Sequence, residues 1–220
     1  MPPRRTARPA GRTPTANGVP NVIVQRLPVY VRVLSQMESR GIEITSSDQL
    51  GESLGMTPAQ IRKDLSYFGR FGRQGRGYNV HHLATQLRRI LRLDLTWDTA
   101  LVGVGRLGRA VAAYPGFAPQ GIRIAAAFDV DPAIIGQKVA DLTVQPLSTL
   151  PATVRSRGIK VAIVTVPAQH AQEVIDTLVD AGIRALLNYA PVTPRVPPGV
   201  RLHSVDPVLA LQSMTYYLQR

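Results

Sequence analysis

The sequence predicts an α/β protein with three parts: an N-terminal winged helix-turn-helix, a C-terminal Rossmann-type doubly wound parallel sheet, and a C-terminal dimerisation helix. Three observations carry this. A well-capped helix with a small, polar, basic outer face starts at Thr57 and is followed by a Gly-rich basic segment. From about residue 96 onward, short apolar runs alternate with helical stripes. A Gly103-Val104-Gly105-Arg106-Leu107-Gly108 run directly follows the first of those apolar segments.

The chain has 220 residues, of which 45% are hydrophobic, enough for one or two domains with real cores. No run approaches the roughly 18 apolar residues of a membrane span, and no apolar signal core is present. The sequence therefore reads as soluble and cytoplasmic, with no membrane partner. It has no cysteine. That excludes disulfides, Cys-type zinc sites, Fe–S clusters and Cys nucleophiles. Of the 4 histidines only His81 and His82 lie close together, so no metal site is expected. The net charge of +12 is uneven. Residues 1–96 hold 15 basic and 6 acidic residues, whereas residues 97–220 hold 11 and 8. The excess in the front half suggests a polyanion partner there.

Residues 1–20 carry Arg4, Arg5, Arg8 and Arg12 among Pro, Thr, Ala and Gly, and read as a flexible basic tail. Residues 21–95 read as the winged-helix DNA-binding domain. Leu27, Tyr30, Val31, Leu34 and Met37 recur at helical spacing, and Pro28 places the helix start near itself, with an end at Arg40 before Gly41. A second helix opens after Ser46 with Gln49 as capping-box partner, presents Leu50 and Leu54 inward, and ends at Gly55. The third opens with Thr57-Pro58-Ala59-Gln60 as N-cap, first-turn proline and capping-box Gln. Ile61, Leu65 and Phe68 face the core, so at about 100° per residue Ala59, Lys63 and Ser66 face outward, flanked by Gln60 and Arg62. Gly69 closes it. Residues 69–78 then place a Gly-rich basic tip between apolar residues, the pattern of a β-hairpin wing. Arg73 and Arg76 on that tip can reach phosphates or a narrow minor groove. Capped helix, basic face and basic hairpin together point to double-stranded DNA. Asn79 caps a further helix, with Val80, Leu83, Leu87, Ile90 and Leu91 on one face and His81 and His82 on the surface.

Residues 96–205 read as the nucleotide-binding domain. Strands are expected at Thr99–Val102, Ile122–Phe128, Ile159–Thr165 and Ala185–Leu187, with a helix striped by Ala171, Val174, Ile175, Leu178 and Val179 between the last two and ending at Gly182. The glycine run sits between a strand and a helix, the context in which it marks a dinucleotide site. Gly103 serves the tight turn, Gly105 admits the pyrophosphate, and Gly108 lets helix and strand pack closely. The N–H groups at the helix start, through Val104, Arg106 and Leu107, bind the pyrophosphate. Asp129, 26 residues after Gly103, is placed to accept from a ribose 2′-OH. It would repel a 2′-phosphate, which favours NAD(H) over NADP(H); FAD or coenzyme A are the alternatives. Asp131 either adds to that repulsion or only caps the turn before Pro132. Thr165-Val166-Pro167 and Asn188 end strands that line such crevices. For Asn188 a turn role before Pro191 is equally open. No acid/base set or substrate domain accompanies the site, and His170 and His203 stand alone, so no catalytic residue is expected. The cofactor reads as a signal rather than a reagent. An NAD-dependent or coenzyme A-binding enzyme, and an architectural DNA-binding protein with a vestigial nucleotide fold, are the competing readings.

Residues 206–220 open with Asp206-Pro207 and then place Val208, Leu209, Leu211, Met214, Tyr216, Tyr217 and Leu218 in one helix with little polar face. Dimerisation explains it most simply; packing back on its own subunit is the alternative.

Five stretches stand out together: Arg62-Lys63-Asp64-Leu65-Ser66-Tyr67-Phe68-Gly69, Val102 through Gly108, Tyr114-Pro115-Gly116-Phe117, Phe128 through Pro132, and Asn188-Tyr189-Ala190-Pro191. On these, over residues 19–220, the chain resembles the Rex family of redox-sensing transcriptional repressors. Residues 1–18 show no counterpart in it. It implies a homodimer on a palindromic operator, repression of respiratory or fermentative genes, release by NADH, and exchange of the C-terminal helix between subunits. It implies that Arg62 and Lys63 belong to the recognition helix, and that Arg32, Tyr114 and Asp206 form a redox-responsive polar network. The family's wing carries a basic tip residue, where this chain has Gln74 between Arg73 and Arg76.

Overall fold

A computed structural model of the chain describes residues 18–73 and 76–218. It divides into two compact units, Met1–Asp94 and Leu95–Arg220.

The first unit packs four helices on a small sheet. Helix α1 spans Asn21–Ser39, strand β1 Ile44–Thr45, α2 Ser47–Leu54, α3 Pro58–Ser66, β2 Gly72–Arg73, β3 Gly77–Asn79 and α4 Val80–Ile90. The expected boundary at Pro28 is wrong: α1 starts seven residues earlier and holds Pro28 inside it. An interior proline costs about 3 kcal/mol. The extra turns bury Ile23 and Leu27, which continue the stripe through Tyr30, Val31, Leu34 and Met37. Two such side chains contribute about 3–6 kcal/mol, so burial outweighs the proline. The capping box at α2 forms in both directions between Ser46 and Gln49. At α3 half of the expected box is present, with Thr57 Oγ1 accepting from the Gln60 N–H at 3.2 Å. Helix α3 ends at Ser66, and Gly69 follows it with φ 132°. The hairpin forms as β2 and β3, antiparallel, with β1 added on the other side of β3, a strand too short to read from sequence. Asn79 caps α4, accepting from the His82 N–H at 2.8 Å. Ile90, expected inward, is exposed.

The second unit is a seven-stranded sheet. Its elements are β4 (Trp97–Val102), α5 (Arg106–Ala112), β5 (Ile122–Asp129), β6 (Lys138–Val139), β7 (Leu142–Pro146), α6 (Leu150–Arg157), β8 (Val161–Val164), α7 (Ala171–Ala181), β9 (Ala185–Asn188), β10 (Arg201–Ser204) and α8 (Pro207–Thr215). The strand order is β10-β9-β8-β4-β5-β7-β6, parallel throughout except for the β6–β7 edge hairpin. From the first parallel strand, the chain runs outward on one side through β5 and β7, then returns and runs outward on the other through β8, β9 and β10. The order reverses between β4 and β8, and a doubly wound sheet opens its ligand crevice at that point. The strands bury both faces. Val102, Phe128 and Val164 pack in one layer, and Leu101, Ala127 and Ile163 in the other. That two-sided burial is why these segments read as continuous apolar runs.

Candidate nucleotide crevice and nucleic-acid interface

The crevice forms where β4 and β8 diverge. Gly103 has φ 90°, a conformation that favours glycine, and a Cβ there would stand 2.8 Å from the Thr165 carbonyl oxygen. Thr165 Oγ1 donates towards both the Gly103 carbonyl, at 2.6 Å, and the Val102 carbonyl, at 3.1 Å, tying the two strand ends together. Gly108 sits in α5 against the Gly103 carbonyl, where a Cβ would strike it. Gly105, by contrast, has nothing within 4 Å of its Cβ direction, so the open side of the loop is where a ligand can approach the backbone. Among the described residues, no hydrogen bond uses the Gly105, Arg106 or Leu107 amides. They remain available for an anion.

The cavity at this point has a volume of about 610 Å³. Gly103, Gly105, Asp129, Thr165, Val166 and Pro167 line it, as expected. So does Asp131, read beside Asp129 from sequence, and so do Val130, Ile134, Leu147, His170, Glu173, Val174 and Thr177, which the sequence reading did not assign to it. Val130, Ile134, Leu147 and His170 follow strand ends closely, whereas Glu173, Val174 and Thr177 come from α7. Val104 is buried instead, with its N–H donated to Asp129 Oδ2 at 2.6 Å. Arg106 and Leu107 are exposed on α5, away from the cavity walls.

Asp129 does more than sequence reasoning gave it. Its Oδ1 accepts from the Val130 and Asp131 amides at 2.7 and 3.0 Å, while Oδ2 takes the Val104 amide. One carboxylate thus clamps the glycine loop to the end of β5 and still faces the crevice. Three charge-assisted bonds hold its orientation. Asn188 is fully buried and lies off the crevice. It bonds the Ala190 backbone in both directions at 3.0 Å and donates to Ser204 Oγ at 3.3 Å. Of its two open roles, the structure gives it the turn. His170 is exposed on the crevice lip rather than in a core, and Tyr114 is 60% exposed, edge-on to Phe117 at 5.2 Å. Asp206 caps α8, accepting from the Val208 and Leu209 amides at 2.9 and 3.4 Å. Tyr114 and Asp206 do not bond each other within the single chain. Arg32 is exposed on α1 in the other unit.

In the first unit, Gln60, Arg62, Lys63 and Ser66 are all exposed on α3. Arg62 Nη1 donates to Ser47 Oγ at 3.0 Å, and the Ser66 hydroxyl donates to the Lys63 carbonyl at 2.7 Å. A cleft of about 660 Å³ separates this side of α3 from the hairpin, with Arg62, Ser66 and Arg70 on its walls. Arg70, not singled out from sequence, therefore joins the basic surface. Arg76 is exposed at the hairpin; Gln74 and the Arg73 side chain lie outside the described residues, as does the basic tail. Beneath α3 the buried Asp64 carboxylate receives Arg26 Nε and Nη2 at 2.8 and 2.7 Å and the Tyr30 hydroxyl at 3.1 Å. That anchor was missed because its three members are 34 and 38 residues apart in sequence. The described residues hold no group of His, Cys, Asp or Glu arranged for a metal, and none of the helices is long and apolar enough to cross a membrane.

Fold and site together define the class: a winged-helix unit joined to a Rossmann-type nucleotide unit. Residues 94–192 match the "CoA binding domain" family model, and residues 18–66 match "Putative DNA-binding protein N-terminus". The chain is 53% identical over 201 residues to the redox-sensing transcriptional repressor Rex of Chloroflexus aurantiacus, covering 91% of this chain and 95% of the relative. It is 41% identical over 216 residues to that of Streptomyces griseus, covering 98% and 84%. The chain belongs to the Rex family of redox-sensing transcriptional repressors. The Streptomyces alignment spans nearly the whole chain and so reaches into residues 1–18, where the sequence had shown no counterpart. Two solved structures are similar: RSP in complex with β-NAD+ and operator DNA, with TM-score 0.85 and 37% identity over 89% of this chain and 90% of that one; and RSP in complex with β-NADH, with TM-score 0.83 and 35% identity over 90% and 93%.

Proposed function

We propose that this chain represses transcription as a homodimer on palindromic operator DNA and is released when NADH binds. One observation carries the reading: a basic recognition helix with its wing, and a crevice of about 610 Å³ behind a glycine loop, occur on one chain. The RSP structures with β-NAD+ and operator DNA and with β-NADH support both ligands. The naming of relatives as repressors favours a sensor over an enzyme. The working divisions are a tail over 1–20, the DNA-binding domain over 21–95, the NAD(H)-binding domain over 96–205 and a dimer helix over 206–220.

The crevice residues fit a dinucleotide. The Gly105 side of the loop is open, the amides at the start of α5 have no acceptor among the described residues, and Asp129 and Asp131 bring negative charge to the crevice, against a 2′-phosphate. That charge favours NAD(H). When bound, the nicotinamide supplies a charge difference: cationic when oxidised, neutral when reduced. The apolar side chains of Val102, Val166 and Val174 in the crevice make closure over a neutral ring less costly in desolvation. Closure that alters the spacing of two recognition helices breaks their match to half-sites about 34–36 Å apart or a multiple of it. Reversing a 1:99 equilibrium requires roughly 10⁴-fold preference for one state, so NADH must discriminate states and not merely bind.

Arg32, Tyr114 and Asp206 are assigned to the switch of the dimer. Two features support this: Tyr114 offers its ring to solvent, and Asp206 is the cap of α8, so its carboxylate travels with that helix. The test is operator titration at fixed salt without cofactor, with NAD⁺ and with NADH. Loss of binding with NADH alone is expected. Equal effects of both cofactors, or sustained turnover of NADH on small carbonyl compounds, would overturn the repressor reading.

A further inference from the structure

We propose that Arg26, Tyr30 and Asp64 form a positioning clamp that sets the rotation of α3 about its own axis, and with it the discrimination between operator and other DNA. This rests on the DNA-binding reading above. Helix α3 spans 9 residues and buries Ile61, Asp64 and Leu65. Two apolar side chains hold such a helix against a core, but their contacts carry no direction. A helix resting on them alone can roll. The third buried residue is a carboxylate, and the bonds it accepts do have direction.

Both oxygens of Asp64 are engaged. Arg26 Nη2 donates to Oδ1 at 2.7 Å and Nε to Oδ2 at 2.8 Å, the two-pronged geometry of a guanidinium on a carboxylate. The Tyr30 hydroxyl donates to Oδ2 at 3.1 Å. Arg26 and Tyr30 stand one turn apart on α1, so a single helix supplies all of these donors. Tyr30 is fully buried and Asp64 is 1% exposed, which keeps water from the carboxylate. On the other flank, Arg62 Nη1 donates to Ser47 Oγ at the start of α2. Residues 62 and 64 lie about 200° apart around α3. The helix is therefore tied on nearly opposite sides, to α1 by a buried clamp and to α2 by a surface bond.

The clamp supplies alignment more than stability. Taking both charges out of water offsets much of their attraction, and apolar side chains of similar volume often hold a fold as well or better. Apolar replacements do not reproduce the alignment. Outward side chains of α3 reach roughly 5–6 Å from its axis, so a roll of about 20° carries Gln60 and Lys63 about 2 Å sideways. A paired contact to a base edge needs donor and acceptor within about 3 Å and is broken by such a shift. Phosphate contacts made by long flexible stems adjust to it. Discrimination is thus lost before general DNA affinity.

The test compares the unaltered chain with R26M/Y30F/D64L on two duplexes, one selected from a randomised pool by the unaltered chain and one scrambled. The three changes remove one positive charge, one negative charge and the hydroxyl that would lose its acceptor, so the net charge stays at +12. The variant should melt at or above the temperature of the unaltered chain. NADH affinity and affinity for the scrambled duplex should not change. Preference for the selected duplex should fall about 10-fold or more, the worth of one paired base contact. Arg26→Lys keeps the charge and loses the fork, so its preference should fall at least about threefold with scrambled-duplex affinity unchanged. Full preference retained in either variant overturns the clamp. An equal loss on both duplexes in both variants, which a damaged fold would give, overturns it too. If the unaltered chain prefers no selected duplex, the DNA-binding reading fails and the clamp with it.

Discussion

Gly103 and Gly105 stand two residues apart and serve different purposes, and substitution separates them. At Gly103 the positive φ and the Thr165 carbonyl leave no place for a side chain, so Gly103→Ala should lower the melting temperature and abolish NADH binding together. Gly105 has ordinary φ and open space, so Gly105→Ala should cost at most about 1 kcal/mol, as a weaker N-cap, while lowering NADH affinity tenfold or more. Calorimetric melting and NADH fluorescence titration check both; equal losses of stability in the two variants would contradict the division. The glycine spacing was legible because each position answers to a local steric demand. The clamp by Asp129 was not, because its partner Val104 lies 25 residues away and contributes a backbone amide, which any residue type carries. Asn188 is the reverse case: from sequence, a polar residue at a strand end is open equally to a ligand contact and to a turn, and its amide bonds its own turn. Asp206 joins cap and charge in one side chain. Asp206→Asn should keep α8 capped, since Asn caps as well as Asp, while removing the carboxylate. If the carboxylate belongs to the switch, operator titration of that variant should show a reduced difference between NADH and NAD⁺.

Among the elements, α1 and α3 are joined by chemistry that pH can probe. Burial and the neighbouring Asp64 carboxylate push the Tyr30 phenol well above its ordinary range. Burial raises Tyr78 as well. In the unfolded chain a phenol ionises near pH 10. A raised folded value means the folded state keeps its proton while the unfolded state releases one, so the contribution is full below pH 10 and is lost as pH rises above it. The melting temperature of the first unit should therefore fall between pH 9 and 11, and Tyr30→Phe should make that fall shallower, with Tyr78 responsible for the remainder. A variant with an identical pH profile would remove Tyr30 from the linkage. Helices were the better predicted elements where caps are local, as at Ser46, Thr57 and Asn79. The start of α1 was misjudged because burial of Ile23 and Leu27 overrides a proline, and burial depends on partners that sequence does not display. Strands β1, β6, β7 and β10 were missed for a related reason. The first two are two residues long, β7 buries only Val144, and β10 is largely exposed at the sheet edge, so none carries a readable apolar pattern.

At the scale of the whole molecule, α8 is the feature that a single chain does not satisfy. Val208, Leu209, Leu211, Met214, Tyr216, Tyr217 and Leu218 are 58–86% exposed, so the helix does not pack back on its own subunit. Full burial of one such side chain contributes about 1.5–3 kcal/mol, and seven together form a surface that water strongly disfavours. Under the proposed homodimer, a second copy covers this surface: a two-fold palindrome would require a two-fold protein, and an isologous contact lets the same helix serve both subunits. Replacing Leu209, Leu211 and Met214 with Glu should yield a monomer by sedimentation at micromolar concentration. The crevice residues all come from one chain, so that monomer should still bind NADH measurably. Operator affinity should fall about 10²- to 10⁴-fold, the factor lost when two linked half-site contacts become independent. It should also lose its response to NADH, because release by a change in half-site spacing needs two recognition helices. A monomer still displaced from DNA by NADH would place the coupling within one chain and remove the dimer from the mechanism.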